Sequence, residues 1–176
     1  MKQDLKSLKH ITDPIFEDIK LFEQEFRNAL RSEVRLINLI GKYILRHKGK
    51  HIRPVLTILA SRVCGQPTVN SYRAAAMIEL LHIATLIHDD VVDETTVRRG
   101  KETVNAKWGR EASILVGDFL ISRAILILAQ DCERKIIQAV TEATKILVEG
   151  GIHEYTEARH VNVTEKHILD VIYRKT

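Results

Sequence analysis

An acidic segment at residues 88–93, HDDVVD, is the part of this sequence best suited to bind a metal ion. Asp89 and Asp93 stand at positions i and i+4, so on a helix they share one face. Apolar neighbours place both near the buried side of that helix, where an unpaired carboxylate is costly. Mg²⁺ would relieve the cost, since it prefers one or two carboxylates with waters and phosphate oxygens. The alternative is an acidic helix end that faces water.

The basic loop at residues 49–54, GKHIRP, is suited to bind an anion. Lys50 and Arg53 precede a predicted helix start at Pro54. Arginine offers a planar fork of donors and lysine a point charge, and a helix N-terminus adds the positive end of a dipole. The alternative is a solvated basic loop.

A second basic group, Arg98 and Arg99 before Gly100, follows the acidic segment. The two arginines could neutralise the aspartates, or they could hold a diphosphate that a metal ion bridges. His82 lies seven residues before Asp89, two helical turns along the same face. It is either a satisfied core residue or a substrate contact. Two basic loops that flank one acidic helix are the layout expected for metal-bridged diphosphate chemistry, in which charge stabilisation supplies most of the catalysis.

Helices must position these groups, because no segment shows the strict alternation of a strand. Capping residues and prolines predict helix starts at Asp13-Pro14, Ser32, Pro54 and Thr164. Apolar periodicity predicts further helices at about residues 71–93, 104–108, 111–129 and 133–159. Gly150-Gly151 is a predicted weak point in the last of these. The predicted fold class is all-α.

The composition agrees with a helical protein that binds an anion. The chain of 176 residues has a net charge of +4 and is 45% hydrophobic, so one domain is expected. Only 5% of the residues are aromatic and there is no long basic run, which argues against nucleic acid. Cys64 and Cys132 form no CxxC pair, which favours a reduced, cytoplasmic chain. The most apolar stretch, residues 114–129, is interrupted by Asp118 and Arg123 and predicts a buried helix, not a membrane span.

Four segments resemble the trans-polyprenyl diphosphate synthases, in order and at family-like spacings. They are GKHIRP at 49–54, LLHIATLIHDDVVDE at 80–94, RRGKETVNAKWG at 98–109 and SILVGDFLISRA at 113–124. The resemblance implies a helical bundle of the isoprenoid synthase type, represented by roughly its first half as one partial domain over residues 1–176. It also implies a Mg²⁺-dependent, dimeric transferase that condenses isopentenyl diphosphate with an allylic prenyl diphosphate.

The resemblance also assigns roles to residues. Asp89 and Asp93 match the first and last aspartates of the first aspartate-rich motif, which bind magnesium, and Asp90 is its middle aspartate. The positions that match isopentenyl diphosphate ligands are Lys50, Arg53, His82 and Arg99. The positions that match allylic diphosphate ligands are Arg98, Lys175 and Thr176.

Product length in this family is limited by side chains one turn before the first aspartate. Ala84 and Thr85 occupy those positions here, and their small size implies a medium- or long-chain product, such as the side chain of a respiratory quinone. The alternative is that small residues let helices pack at these positions and that product length is set elsewhere.

Two features depart from the family pattern. The second aspartate-rich motif is not reached before the chain ends, so little or no turnover is expected from this polypeptide alone. The GExxQ segment is replaced by GGIHE, with Gly151 and Glu154 at the altered positions. These departures leave open a non-catalytic chain that supports a complete synthase. A metal-dependent phosphohydrolase that uses His88 and Asp89 is a further alternative, although no spacing singles out its other ligands.

Overall fold

The computed structural model describes residues 10–47 and 49–157, together with positions 165, 169, 172 and 173. A 3-10 helix at Asp13–Ile15 precedes the first long helix. The α-helices are α1 (Phe16–Ala29), α2 (Arg35–Arg46), α3 (Ile52–Cys64), α4 (Val69–Val92), α5 (Val104–Trp108), α6 (Arg110–Asp131) and α7 (Arg134–Glu157). The strands are β1 (Val97–Arg98) and β2 (Lys101–Glu102). The all-α prediction is confirmed, with this short hairpin as a local exception.

Helix α4 is the centre of the first of two compact units, residues 1–131. It contacts α1, α3, α5 and α6, and a helix that is packed on several sides is apolar around most of its circumference. The side chains of Ala75, Ala76, Leu80 and Ala84 are fully buried. Helix α7 lies in the second unit, residues 132–176. One partial domain over the whole chain stays a prediction.

Helix α6 is the one described helix that is long and apolar enough to cross a membrane, by length and composition alone. A core helix passes the same test. Val116, Leu120, Ala124 and Leu128 form a buried stripe at helical spacing, and α6 packs against α4. One face of α6 is therefore part of the core, in agreement with the buried helix predicted there.

Three predicted helix starts are wrong in detail. Asp13 does not cap a helix but is the first residue of the 3-10 helix, and Thr12 stands in the cap position. Ser32 lies three residues before α2, where its Oγ accepts a hydrogen bond from the N–H of Val34, the true cap. Helix α3 begins two residues before Pro54. Proline is tolerated there because the first four N–H groups of a helix have no partner within the helix, so the N–H that proline lacks would not be bonded.

The prediction that no strand occurs is wrong at residues 97–102. Strands β1 and β2 pair antiparallel, with Arg98 opposite Lys101. Both turn residues between them have positive φ, 52° at Arg99 and 74° at Gly100, and such a two-residue turn matches the natural twist of paired strands. Strands of two residues are too short to show alternation in a sequence.

Other predicted boundaries shift slightly. Helix α4 begins two residues before Ser71, whose Oγ accepts a hydrogen bond from the N–H of Thr68 at 3.1 Å and so stabilises an earlier start. Helix α7 runs unbroken through the predicted weak point at Gly150-Gly151. Thr164 lies outside the described residues.

Candidate functional site

The acidic segment ends α4. Asp93 is the residue that ends the helix, and its N–H donates to the carbonyl oxygen of Asp89 at 2.8 Å. The two aspartates are therefore one helical turn apart on the same face, as predicted. Asp89 is half-buried, whereas Asp93 is exposed.

Asp90, the middle aspartate, is paired with Arg98 of the hairpin. Asp90 Oδ1 lies 2.9 Å from Arg98 Nε and 2.8 Å from Arg98 Nη2. The Asp90 side chain is only 8% exposed, so this pair is well shielded from water on one side. Of the two roles that the sequence leaves open for the arginines, Arg98 here performs the neutralising one. The pair also fixes the hairpin against the end of α4.

The basic loop is joined to α4 through His51. Its Nδ1 lies 3.0 Å from Oε1 of Glu79, and the two side chains are 9% and 8% exposed. The imidazole ring packs edge-on against Phe22 and Phe26 of α1, with ring centroids 5.4 and 6.0 Å away. Sequence reasoning missed both His51 and Glu79. In the loop, only the cations indicated a function, and a lone glutamate in an apolar helix does not indicate a site by its spacing.

Arg99 joins the hairpin to the same loop. A Cβ atom added to Gly49 would lie 2.8 Å from Nη1 of Arg99, so the guanidinium lies directly against the glycine. Arg99 has a φ of 52°, a backbone conformation that favours glycine. The two basic segments, well separated in the sequence, therefore meet in the fold.

His82 shows how closely the arginines gather. Burial lowers the pKa of His82 below its usual 6.5, and the positive charge of Arg53 lowers it further. Glu79 opposes this effect, while Arg99 and Arg98 add to it. The positive charges of three arginines from two separate segments therefore all act on this one side chain of α4.

Most of this positive charge has no partner of opposite sign nearby. In residues 10–47 and 49–157, no ion pair within 4.0 Å involves Lys50, Arg53 or Arg99. All three residues are exposed. Like charges held together repel one another, and a multiply charged anion would relieve the repulsion. The site is therefore suited to bind a diphosphate.

Asp89 and Asp93 are the residues that could hold a metal ion. Among the described residues, no group of three or more His, Cys, Asp or Glu side chains could enclose one. A pair of carboxylates fits Mg²⁺, which keeps several waters and takes phosphate oxygens. It does not fit Zn²⁺, which needs three or four protein ligands. A magnesium ion would therefore bind here together with a diphosphate.

His88, which precedes the first aspartate, packs against α6. Its Nε2 lies 3.2 Å from the carbonyl oxygen of Ile114 and 3.5 Å from Oδ1 of Asp118. A Cβ atom at Gly117 would collide with that nitrogen, so glycine leaves room for the ring. His88 orients the end of α4 through this contact, and the geometry gives no support to a phosphohydrolase that uses it as a metal ligand.

The predicted length-limiting residues lie on α4. Ala84 is fully buried, which agrees with the packing alternative at that position. Thr85 is half-buried, and its Oγ1 donates to the carbonyl oxygen of His82 at 2.8 Å. Their effect on product length stays a prediction. Lys175 and Thr176 lie outside the described residues.

Known proteins share both the sequence pattern and the fold. Residues 34–176 match the polyprenyl synthetase family. Octaprenyl diphosphate synthase of Haemophilus influenzae is 40% identical over 175 residues, which cover 99% of this chain and 53% of that protein. The crystal structure of a Caulobacter crescentus polyprenyl synthase, complexed with calcium and isoprenyl diphosphate, superposes with a TM-score of 0.89 at 29% identity, covering 96% of this chain and 52% of that one. A decaprenyl diphosphate synthase from Rhodobacter capsulatus superposes with a TM-score of 0.88 at 32% identity, with the same coverage of 96% and 52%. The chain thus spans about half the length of these relatives.

Proposed function

The chain belongs to the polyprenyl synthetase family, and on that basis we propose that it provides the diphosphate-binding part of an enzyme that extends an allylic prenyl diphosphate with isopentenyl diphosphate. The observation that carries the proposal is the meeting of the two basic segments, where the guanidinium of Arg99 lies against Gly49, next to Lys50. The similarity to octaprenyl and decaprenyl diphosphate synthases supports a medium- or long-chain all-trans product for isoprenoid or quinone side-chain biosynthesis.

The side chains act by binding, orienting and neutralising charge. Lys50, Arg53, His82 and Arg99 hold the diphosphate of isopentenyl diphosphate, and their convergence keeps its double bond next to the allylic carbon. Asp89 and Asp93 would hold magnesium, which would supply positive charge to stabilise a pyrophosphate leaving group. No side chain acts as a nucleophile, so electrostatic stabilisation provides most of the rate enhancement.

Arg98 can bind the allylic diphosphate without leaving Asp90. The carboxylate occupies the Nε and Nη2 edge of the guanidinium. A guanidinium has five N–H donors, so the Nη1 group keeps two of them for a phosphate oxygen. Asp90 thus orients Arg98, while Lys175 and Thr176 are proposed to bind the same diphosphate.

A non-catalytic chain that supports a complete synthase is the second candidate. The altered GGIHE segment favours it, because Gly151 and Glu154 replace the family's glutamate and glutamine. A Cβ atom added to Gly151 meets no atom within 4 Å, so the local space would accept a larger side chain there. Lack of space therefore does not explain why glycine replaces glutamate at this position.

Binding and turnover together test these proposals. Calorimetry with inorganic pyrophosphate, with and without Mg²⁺, is expected to show binding that magnesium strengthens. With labelled isopentenyl diphosphate and farnesyl diphosphate, this chain alone is expected to give little or no product, whereas the full reading frame is expected to give lengthened products. Binding without products from the full reading frame would favour the non-catalytic chain. Failure to bind pyrophosphate would contradict the proposed site. A dimer and a cytoplasmic location are proposed with this function.

A further inference from the structure

We propose that Glu79 is a positioning residue, which sets the loop of Lys50 and Arg53 by holding the imidazole of His51. The inference rests on the proposed function, because the position of that loop matters only if its cations bind a diphosphate. Glu79 itself touches no substrate in this account. It acts through the contact of 3.0 Å between its Oε1 and His51 Nδ1, its hydrogen-bond partner among the described residues.

The local structure around His51 is costly for stability. Its φ of 47° lies in the left-handed region, which is unfavourable for any residue with a Cβ. Its Nε2 is buried without a hydrogen-bond partner, and a buried polar atom of that kind costs free energy. Costs of this type persist where the surrounding structure enforces them, and they occur most often at functional sites.

Asp18, another buried carboxylate of the same unit, provides a comparison in which the contacts serve stability. Asp18 on α1 accepts hydrogen bonds from Arg62 at 2.6 Å and from Tyr72 at 2.8 Å. Glu79 is about equally buried, yet its described partner is an imidazole on a strained loop. A contact that served stability alone would not need that loop conformation.

Glu79 also links the loop to the rest of the site. It lies three residues before His82 on α4, so the two share a face. Its partner His51 lies between Lys50 and Arg53 in the loop. The rings of Phe22 and Phe26 pack against the imidazole but offer no acceptor to its nitrogens, so the contact with Glu79 fixes the direction of Nδ1. Loss of the Glu79 contact would therefore change where the two cations stand relative to His82.

The test compares Glu79→Leu with Glu79→Gln in the full chain, using pyrophosphate and Mg²⁺ as the probe. Leucine removes the acceptor, and the pyrophosphate dissociation constant is expected to rise about tenfold, since small displacements of binding groups are costly. Glutamine keeps an acceptor for Nδ1–H and is expected to stay within about threefold of the wild type. Asp18→Asn is the matched control, with a lower free energy of unfolding and an unchanged affinity.

Two further measurements keep the outcomes distinct. Backbone amide chemical shifts at residues 50–53 are expected to change in Glu79→Leu and not in Asp18→Asn, whether or not pyrophosphate binds. His51→Gly removes the ring that Glu79 holds and relieves the strained backbone. It should therefore weaken pyrophosphate affinity, and it provides a second variant if Glu79→Leu fails to fold. Unchanged amide shifts in Glu79→Leu, or an affinity equal to that of the wild type, would overturn the inference. A wild-type chain that does not bind pyrophosphate would instead contradict the proposed function.

Discussion

At the N-terminal end of α4, charged side chains are paired within the fold, whereas at its C-terminal end positive charges gather in excess of their partners. Near the N-terminus, Arg73 bridges Glu25 at 3.2 Å and Asp131 at 2.8 Å. In the preceding residue, the hydroxyl of Tyr72 donates to the buried Asp18. These contacts tie α1 and the end of α6 to the central helix.

In the C-terminal half of α4, the charges of Arg53, Arg98 and Arg99 all lower the pKa of His82, and Asp90 pairs with Arg98. Paired charges at one end support the fold, although partly exposed pairs contribute little each. Crowded like charges at the other end destabilise the folded chain until an anion arrives. The same helix thus serves as a structural axis at one end and as a binding surface at the other, and the contrast can be tested.

The largest expected effect comes from removing two cations at the C-terminal end. Arg53→Ala with Arg99→Ala should weaken pyrophosphate binding by at least about 100-fold, because each of the two lost hydrogen bonds to a charged group contributes about 1.5 to 3 kcal/mol. The free energy of unfolding should stay the same or rise, since like charges no longer repel. Calorimetry and urea unfolding measure the two quantities, and an affinity close to that of the wild type would remove the contrast between the two ends.

Gly117→Ala tests how the acidic end of α4 is held. The added Cβ would meet His88 Nε2, so the ring must move, and overpacking of this kind costs about 1 to 3 kcal/mol. Magnesium should also strengthen pyrophosphate binding less, because His88 directly precedes Asp89. Gly151→Ala is the matched control, where open space and helical conformation predict a gain of about 0.5 to 1 kcal/mol. Equal stability changes at both positions would show that His88 is not held in place by α6.

Arg62→Ala tests the paired end. Burial alone would raise the pKa of Asp18, but the hydrogen bonds from Arg62 and Tyr72 outweigh burial and hold it below its usual 3.8. A lowered folded pKa means that this stabilisation is fully present above pH 3.8 and is lost as the pH falls through the folded pKa. Removal of Arg62, which is 41% exposed, should lower the free energy of unfolding at neutral pH, because it takes one of two hydrogen-bond donors from the buried Asp18 carboxylate. The difference from the wild type should shrink in acid, and pyrophosphate affinity should not change.

The smallest effect is the titration of His82, followed by NMR of its ring. Because the pKa is lowered in the fold, neutral His82 contributes stability above pH 6.5 that is lost as the pH falls below that value. Pyrophosphate should raise the pKa, since it supplies negative charge beside the ring. The variant lacking Arg53 and Arg99 should show a raised pKa without pyrophosphate. A midpoint that moves in neither case would mean that the arginines do not act on His82.

The predictable parts of this molecule are those that depend on local spacing. Asp89 and Asp93 share a face because they are four residues apart, and the helical periodicity around them extends over several turns. The turn at Arg99 escaped prediction because the sequence between Arg98 and Lys101 shows only one glycine and no alternation. The contacts of Gly49 with Arg99 and of Gly117 with His88 depend on tertiary packing. No pattern within either segment specifies its distant neighbour; the joint site of the basic segments was predicted from their order around the acidic helix and from the family resemblance.

His51 and Arg99 both occupy backbone conformations that glycine adopts freely, with φ of 47° and 52°. A side chain at each such position costs about 1 to 2 kcal/mol. A library of variants screened only for heat resistance should therefore enrich glycine at these two codons. A search for thermostable variants should keep both residues constant, because variants selected without this restriction would gain a higher melting temperature and lose ligand affinity.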